Sequence, residues 1–536
     1  FAFDRLRLRR QRSLSLPKAV IINLIEEIGG KDILQQTWLW RPNLIVFVSN
    51  FCIMVLELVA GRIIAPYVGV SLYTWTSVIG IVLAGISLGN YLGGRLADRS
   101  ASLRMLGLIF LGGGLSSLLI LTVNYTALAI PAGWPIIFRI LVLITILFFI
   151  PATILGMTSP MVAKLAVQDL AKTGQVVGQI YAFGTAGSIA GTFATGFVLI
   201  SAFGTFNIVW GVAIIITSLG LLFYLDRGFR PLLLFIPLAI GSYFLTNLSP
   251  MMRSICDLET NYFCIRIVPD EREEGPVQKL ILDRLVHSYN SLDNPLQLTY
   301  GYEKQYAEMI EYLDQNSGDT PVTALFIGGG GYTFPRYMRT VLPDSVVDVI
   351  EIDPVVTEVA HELLGVDRAL GIESIGMDAR QFLMGEPIQR YDFIVGDAFD
   401  DYSVPYHLTT DGFNQLILNW LTEDGIYMVN LVDGGEARFV RAYVHTLQQS
   451  FDYVYLAPTL SNWRDSPRST FIVTASNQPL DLVALSAIDP FGEGGRFSRN
   501  VMSSVELTSF LEEGDVVFLT DQYAPVEQLL APTFRE

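Results

Sequence analysis

The sequence predicts a multi-span α-helical membrane domain followed by a doubly wound α/β domain, on three observations. Hydrophobic residues make up 51% of the 536 and charged residues only 16%, whereas soluble domains are about a quarter charged. The charge divides sharply near residue 250. Residues 1–250 hold 17 Lys+Arg against 8 Asp+Glu, a net of +9, and the remainder holds 18 against 44, a net of −26. Beyond about residue 252, long apolar runs give way to short strands alternating with helical stretches.

A spanning helix needs roughly 20 apolar residues, because every backbone polar group must be satisfied inside the bilayer. Seven segments qualify, near 43–61, 73–94, 104–124, 135–156, 179–201, 206–225 and 231–248, the last short and interrupted by Pro237 and Gly241. Residues 43–250 thus form the transmembrane domain. Residues 1–42 form a basic arm (Arg5, Arg7, Arg9, Arg10, Arg12, Lys18) and, over 19–40, an amphipathic helix whose Glu26, Glu27, Lys31 and Asp32 suit a membrane surface.

Loop charge gives an orientation. The arm, the 95–104 loop (Arg95, Arg99, Arg104), the 157–178 loop (Lys164, Lys172) and Arg227 with Arg230 share one side, while 125–134 and 202–205 carry no charge. The positive-inside rule puts the N-terminus in the cytoplasm. Seven crossings place the acidic domain outside and six keep it inside, so its side stays open.

Leu92-Gly93-Gly94-Arg95-Leu96-Ala97-Asp98-Arg99 resembles the loop between the second and third helices of major-facilitator transporters; a turn with glycines for tight packing is the simpler reading. Glu57, near Arg62, and Arg139 are costly in lipid and so candidate functional groups, unless they sit near helix ends and snorkel. The glycines from Gly184 to Gly191 read as close helix packing.

Three cysteines exclude a disulfide scaffold or a four-cysteine zinc site. Cys52 falls in an apolar run and reads as core. Cys256 and Cys264 either pair in an oxidising compartment or are separate thiols. The acidic half repels phosphate backbones, so nucleic acid is excluded as its partner.

The second half, 251–536, alternates in order. An apolar run at 322–327 ends in Gly328-Gly329-Gly330-Gly331. After a helical stretch, a strand at 346–350 ends at Glu351-Ile352-Asp353-Pro354. A helix at 355–364 leads to a strand ending at Gly376-Met377-Asp378, then a strand at 391–396 ends at Asp397, and another lies near 425–431. Such alternation predicts a parallel sheet covered on both faces, with ligands beyond the carboxyl ends of its strands. The glycines, Glu351, Asp378 and Asp397 all fall at those ends.

Glycines let backbone approach a ligand at a helix start. An acid 23 residues beyond Gly328 is placed to accept hydrogen bonds from ribose hydroxyls. Thr333 stands where a dinucleotide fingerprint needs its third glycine, which argues against NAD. Acids after the second and third strands suit a nucleoside–sulfonium ligand. His361, His407 and His445 have no ligand spacing and read as structural, and no metal is called for. A Ser288 nucleophile with His287 and Asp397 lacks the G-x-S-x-G elbow.

Six segments in order resemble the spermidine/spermine synthase family, and the whole chain looks like its membrane-fused bacterial members. They are Leu282–His287, Tyr302–Ile310, Ile327–Gly331, Val349–Asp353, Gly376–Ala379 and Tyr391–Asp400. The resemblance implies a Rossmann-like, methyltransferase-like fold. It implies decarboxylated S-adenosylmethionine as co-substrate without a prosthetic group, a small cationic amine as acceptor, and methylthioadenosine as by-product. By position, Gly328, Gly329, Gly330, Glu351, Asp378, Ala379 and His287 would hold the nucleoside, Glu351 at the ribose and Asp378 at the adenine amine. Asp397 would be the catalytic acid group, Tyr306 would place the attacking amine, and Asp400 would bind the amine substrate.

The sequence departs from the family on the amine side. Gly331 replaces an acid that contacts the donor's aminopropyl arm, and His287 replaces a glutamine. Pro458-Thr459-Leu460-Ser461 replaces Pro-Thr-Tyr-Pro, and Ala398-Phe399-Asp400-Asp401 follows Asp397 in place of a small polar pair. The expectation is therefore an integral protein of a bacterial plasma membrane that transfers an aminopropyl group. The alternatives are a non-catalytic membrane subunit or scaffold, and a polyamine transport or sensing module. A homodimer or larger membrane complex is implied by resemblance alone.

Overall fold

The computed structural model describes residues 42–131, 133–167, 170–225, 253–399, 404–514 and 516–535. The chain forms two compact units, Phe1–Asn261 and Tyr262–Glu536. The basic arm, the expected surface helix at 19–40, the seventh candidate span at 231–248 and Asp400 lie outside the described residues.

Among the described residues of the first unit, six segments are long and apolar enough to cross a membrane: Pro42–Val68, Leu72–Ser100, Leu103–Ala129, Ile136–Ala166, Leu170–Phe203 and Thr205–Leu225. They correspond to the first six candidates. Lipid offers helices no hydrophobic reason to associate, so close backbone approach must hold them together. A Cβ on Gly187 of the fifth segment would stand 2.2 Å from the Phe47 carbonyl oxygen of the first. Gly89 of the second meets the Thr153 carbonyl oxygen of the fourth at the same distance, and Gly114 of the third meets Thr217 Oγ1 of the sixth at 2.1 Å.

The Leu92–Arg99 stretch is helical, contrary to the turn expected there; the helix continues to Ser100. Gly93 serves contact instead of chain reversal, since a Cβ there would fall 2.6 Å from Met157 Cα. The reversal comes later, where Ser102 accepts the Met105 N–H at 3.1 Å and caps the third segment. Asp98 and Lys164 pair at 2.9 Å, both largely exposed, so the pair contributes no more than about 1 kcal/mol. Arg62 Nη2 donates to the Thr260 carbonyl at 2.8 Å, and Glu57 is buried against apolar neighbours including Ile53, Val82 and Phe148. Cys52 is the free, buried thiol, and Cys256 and Cys264 are disulfide-bonded.

The second unit opens with antiparallel strands β1 (Cys264–Arg272), β2 (Gly275–Leu282) and β3 (Leu285–Asn290). Helix α1 (Gly301–Ser317) leads to a seven-stranded sheet. Its strands are β4 (Thr323–Ile327), β5 (Val346–Ile350), β6 (Glu373–Ile375), β7 (Tyr391–Gly396), β8 (Leu421–Asp433), β9 (Tyr453–Pro458) and β10 (Ser469–Ser476). Their spatial order is β9-β10-β8-β7-β4-β5-β6. The run from β8 to β6 is parallel, and β10 and β9 join antiparallel at the β8 edge. The order reverses between β4 and β7, the switch point where α/β sheets bind ligands. Helices α2 (Thr333–Val341), α3 (Pro354–Leu363) and α4 (Ala379–Leu383) follow β4, β5 and β6. Residues such as Leu325, Phe393 and Val429 bury β4, β7 and β8, so they read as continuous apolar runs.

Replacing Gly187 with Leu would drive its side chain into the Phe47 backbone. We expect loss of the folded, monodisperse protein in detergent and a lowered Tm, by more than the roughly 1–3 kcal/mol of ordinary overpacking. Leu at Gly94, where a Cβ meets nothing within 4 Å, should leave both unchanged in size-exclusion and thermal-melt measurements.

Candidate functional site

Three strand ends are tied together by backbone hydrogen bonds. Gly328 N–H donates to the Ile350 carbonyl at 2.9 Å, Asp397 N–H to Ile327 at 2.9 Å and Glu351 N–H to Ile375 at 3.0 Å. Gly328 (φ +97°) and Gly330 (φ +49°) take left-handed backbone, which glycine adopts without strain. A Cβ on Gly328 would lie 2.4 Å from the Asp397 carbonyl oxygen. The turn and the β7 end therefore form one surface.

Two adjoining cavities open there, of about 680 Å³ and 150 Å³, sharing His287, Gly328, Gly330, Asp397 and Phe399. Glu351, Asp378 and Ala379 line the smaller one. Glu351 Oε2 accepts the Gly329 N–H at 2.8 Å and the Gly330 N–H at 3.3 Å, and Oε1 accepts the Asp353 N–H at 3.0 Å. A carboxylate has about four acceptor positions, two on each oxygen, so Oε2 is filled and Oε1 keeps one for a ligand hydroxyl. Burial raises the pKa of this carboxyl, against the lowering effect of the three N–H donors.

Asp378 caps α4, its Oδ1 accepting the Gln381 N–H at 2.9 Å, while Oδ2 lies 3.0 Å from His407 Nε2. His407, read from sequence as structural, thus stands at the site. Nothing in the sequence marks it, because the pairing joins residues 29 apart through the fold.

The larger cavity holds Asp397 and Tyr306. Asp397 Oδ1 accepts from Asn430 Nδ2 at 2.9 Å, and the Tyr302 hydroxyl also donates to this carboxylate. Burial pushes its carboxyl up to about 6, against the pull of these two donors. Tyr306 is 1% exposed, and its hydroxyl has no hydrogen-bond partner. It packs edge-on against Tyr302 and Phe334. Asn430 Oδ1 is likewise buried and unpartnered. Orphaned buried polar atoms are rare and point to a ligand.

Sequence reasoning passed over Tyr302 and Asn430. Signals for both existed: Tyr302 precedes Tyr306 by one helical turn, and Asn430 is a lone polar residue in the buried run Ile426–Leu431. Glu303, also unflagged, lines the larger cavity, and burial raises its carboxyl to about 8. His287 joins both cavities; burial and the nearby Arg468 lower it to about 4, so it is neutral at pH 7. Ser288 donates to Asn290 Oδ1 at 2.8 Å, which engages the hydroxyl away from any triad.

The glycine at 331 has a steric cause. A Cβ there would lie 1.9 Å from Ser288 Oγ and 2.4 Å from Asn290 Oδ1, and Asn290 Nδ2 donates to the Gly331 carbonyl at 2.7 Å. Strand β3 fills the space that an acidic side chain would need. Among the described residues, no group of three or more His, Cys, Asp or Glu side chains is arranged to hold a metal.

No family model matches the chain. It is 33% identical over 112 residues to a polyamine aminopropyltransferase of Vibrio vulnificus, a match covering 20% of this chain and 38% of the relative. It is 30% identical over 167 residues to the polyamine aminopropyltransferase of Chromobacterium violaceum, covering 30% and 60%. The matched part of the chain is homologous to polyamine aminopropyltransferases. It spans less than two thirds of the length of these two curated relatives. Among solved structures, a probable spermidine synthase from Corynebacterium glutamicum aligns with a TM-score of 0.42 and 19% identity, over 48% of this chain and 92% of that one.

Asp397 binds its proton more tightly folded than unfolded, its carboxyl rising from 3.8 to about 6. Its contribution to stability therefore falls as pH rises from about 4 to 6. Asp397→Asn should remove that part of the pH dependence and raise the Tm at pH 8 relative to the parent. An unchanged difference between pH 5 and pH 8 melts would show that Asp397 is not the group under strain.

Proposed function

We propose that the chain transfers an aminopropyl group from decarboxylated S-adenosylmethionine to an amine, the transferase unit being anchored in the membrane by the apolar helices. The carrying observation is that Glu351, Asp378 and Asp397 line one divided cleft at the carboxyl ends of the parallel strands. Homology to polyamine aminopropyltransferases supports the same reading.

In this reading the nucleoside occupies the smaller cavity. Glu351 holds the ribose through the acceptor position left on Oε1. Asp378, backed by His407, and Ala379 hold the adenine edge. The glycine turn passes under the sulfonium and directs its aminopropyl arm toward Asp397. The amine nitrogen attacks the carbon next to sulfur, a C–N bond forms as the C–S bond breaks, and the bonding pair stays on sulfur to leave neutral methylthioadenosine. The proton that the amine sheds passes to Asp397. A carboxyl near 6 is ionised at neutral pH yet a better proton acceptor than an ordinary aspartate. Tyr306 Oη and Asn430 Oδ1 supply hydrogen bonds that position the amine, and Asp400 adds a second acid by resemblance. A neutral His287 does not oppose the cationic donor.

A second reading, a nucleoside-binding subunit without turnover, rests on the filled space at Gly331. That space leaves no room for the acid expected at the donor's arm.

Mass-spectrometric detection of methylthioadenosine from the purified full-length protein, given the decarboxylated donor and a panel of amines, tests the first reading. Turnover should rise with pH through about 6 as Asp397 ionises. Asp397→Asn should lower kcat by at least about 100-fold, the lower range for a positioned acid–base group, and spare methylthioadenosine binding. Glu351→Gln should weaken that binding about tenfold or more, as for a lost charge-assisted hydrogen bond. Binding without product under all conditions would favour the second reading.

A further inference from the structure

Glu57 stands near the middle of the first apolar segment, 15 residues after Pro42 and 11 before Val68. At about 1.5 Å per residue, each end lies at least roughly 16 Å away along the helix. A glutamate side chain does not span that distance, so it cannot snorkel to a membrane surface. Its carboxyl lines a small cavity of about 10 Å³ with seven apolar residues, among them Val82 of the second segment and Phe148 and Pro151 of the fourth. Glu57 is 9% exposed, and among the described residues its carboxyl has no hydrogen-bond or ion-pair partner. Arg62, on the same helix, donates to the Thr260 carbonyl.

The fourth segment is interrupted where it lines this cavity. Pro151 lies 15 residues from each end of Ile136–Ala166, and the turn before it, Thr145–Phe149, is a π-turn. A π-turn lengthens the hydrogen-bond step and a proline has no N–H, so this stretch holds more carbonyls than N–H donors. Thr153 Oγ1 serves one of them, the Phe149 carbonyl, at 2.8 Å. The second segment closes over the break, since a Cβ on Gly85 would stand 3.0 Å from the Phe149 carbonyl oxygen. Interrupted helix at membrane depth is tolerated where it is buried in protein or lines a cavity, and such breaks hold ion and proton sites at the midplane.

The cavity selects the ligand. About 10 Å³ is the space of roughly one water molecule, which shuts out an amine chain. A hard metal cation trades its hydration shell for about six oxygens, and the side-chain oxygens lining this space are the two of Glu57. A proton needs neither room nor a shell. A neutral carboxyl in apolar surroundings needs an acceptor for its O–H, which the π-turn carbonyls supply. No other titratable side chain lines the cavity. Arg95, Asp98 and Arg99 stand 13 or more residues past Val82, and Arg139 and Lys164 stand 12 and 13 from Pro151. Lys172 of the fifth segment, which also packs on the first, stands near that segment's start, and the sixth carries no charge.

We infer that Glu57 is a proton-binding site at mid-membrane: its carboxyl exchanges a proton through the one water that fits beside it, and the neutral form is held by a carbonyl of the π-turn before Pro151. This gives the helical unit an acid–base function of its own. The inference rests on the anchoring of the chain in the bilayer and is independent of the transfer reaction.

The test treats the full-length protein, reconstituted in liposomes, with dicyclohexylcarbodiimide, which enters lipid and adds to carboxylic acids. The O–H proton passes to one reagent nitrogen and the carboxyl oxygen bonds the central carbon. The acyl group then moves to the other nitrogen, leaving a stable N-acylurea that peptide mass spectrometry reads. Glu57 should be labelled, with labelling falling about tenfold per pH unit above its midpoint, and Glu57→Gln should abolish it. Asp98, exposed and paired with Lys164, should react with a water-soluble carbodiimide and glycine ethyl ester, to which Glu57 stays inert. Pro151→Ala restores an N–H and should lower the midpoint by about one pH unit, the scale of one hydrogen bond. No labelling at Glu57, labelling that is flat from pH 5 to pH 10, modification by the water-soluble pair, or protection by sodium over choline chloride would each overturn the inference. An unmoved midpoint in Pro151→Ala would overturn the part given to the π-turn. Release of the protein from the vesicles by alkaline carbonate would overturn the anchoring and this inference together and leave the transfer reading standing. Labelling as expected in a protein that forms no methylthioadenosine upholds the site and fails the transfer reading alone.

Discussion

The cleft depends on the grip of the Glu351 carboxylate on the Gly329 and Gly330 N–H groups. A glycine turn with two left-handed residues has many unfolded alternatives, and fixing it costs more conformational entropy than fixing any other residue type. One buried carboxylate joins that turn at the end of β4 to the end of β5. The backbone bonds from Gly328 to Ile350 and from Asp397 to Ile327 extend the same seam to β7. Asp397 faces the larger cavity because its own N–H is held in the seam. The proposed binding and catalytic groups, Glu351 and Asp397, are thus set by one connected hydrogen-bond system, which in turn leaves limited acceptor capacity on Glu351 for a ligand.

Much of this was legible in the sequence, for physical reasons that differ by element. The six described apolar segments could be read because lipid imposes a length and a composition. The parallel strands could be read because burial on both faces demands continuous apolar runs, and Glu351, Asp378 and Asp397 stand out where those runs stop. The Leu92–Arg99 stretch misled because paired glycines serve either a turn or a close contact, and only the facing Met157 tells which. His407 was unreadable because its role comes from a partner on another loop. The residues proposed for the nucleoside are carried by local motifs. The residues proposed for the acceptor, Asn430 of β8 and Tyr306 of α1, come from distant elements, and no local pattern spans those.

The two ends of the cleft also differ in electrostatic character. At the end lined by Glu351 and Asp378, the carboxylates are held by backbone N–H donors and, at Asp378, by His407 Nε2, so their remaining lone pairs are directed for hydrogen bonding. At the acceptor end, burial leaves Glu303 protonated and Asp397 poised to lose or gain a proton near neutrality. Among the described residues, most of the negative charge of this half therefore sits outside the cleft, where it shapes approach and solubility.

The packing around Gly331 bears on how the chain can change. An acidic residue at 331 is one substitution away, yet its Cβ would meet the Ser288 hydroxyl at 1.9 Å and Asn290 at 2.4 Å. Smaller residues at 288 and 290, introduced first, would break the Asn290 bond to the Gly331 carbonyl and leave a gap beside the glycine turn. Each order of events passes through an intermediate worse than either end point. The position behaves as a ratchet: once β3 has closed over it, selection acting one substitution at a time holds the glycine in place, and a designer must alter three residues together.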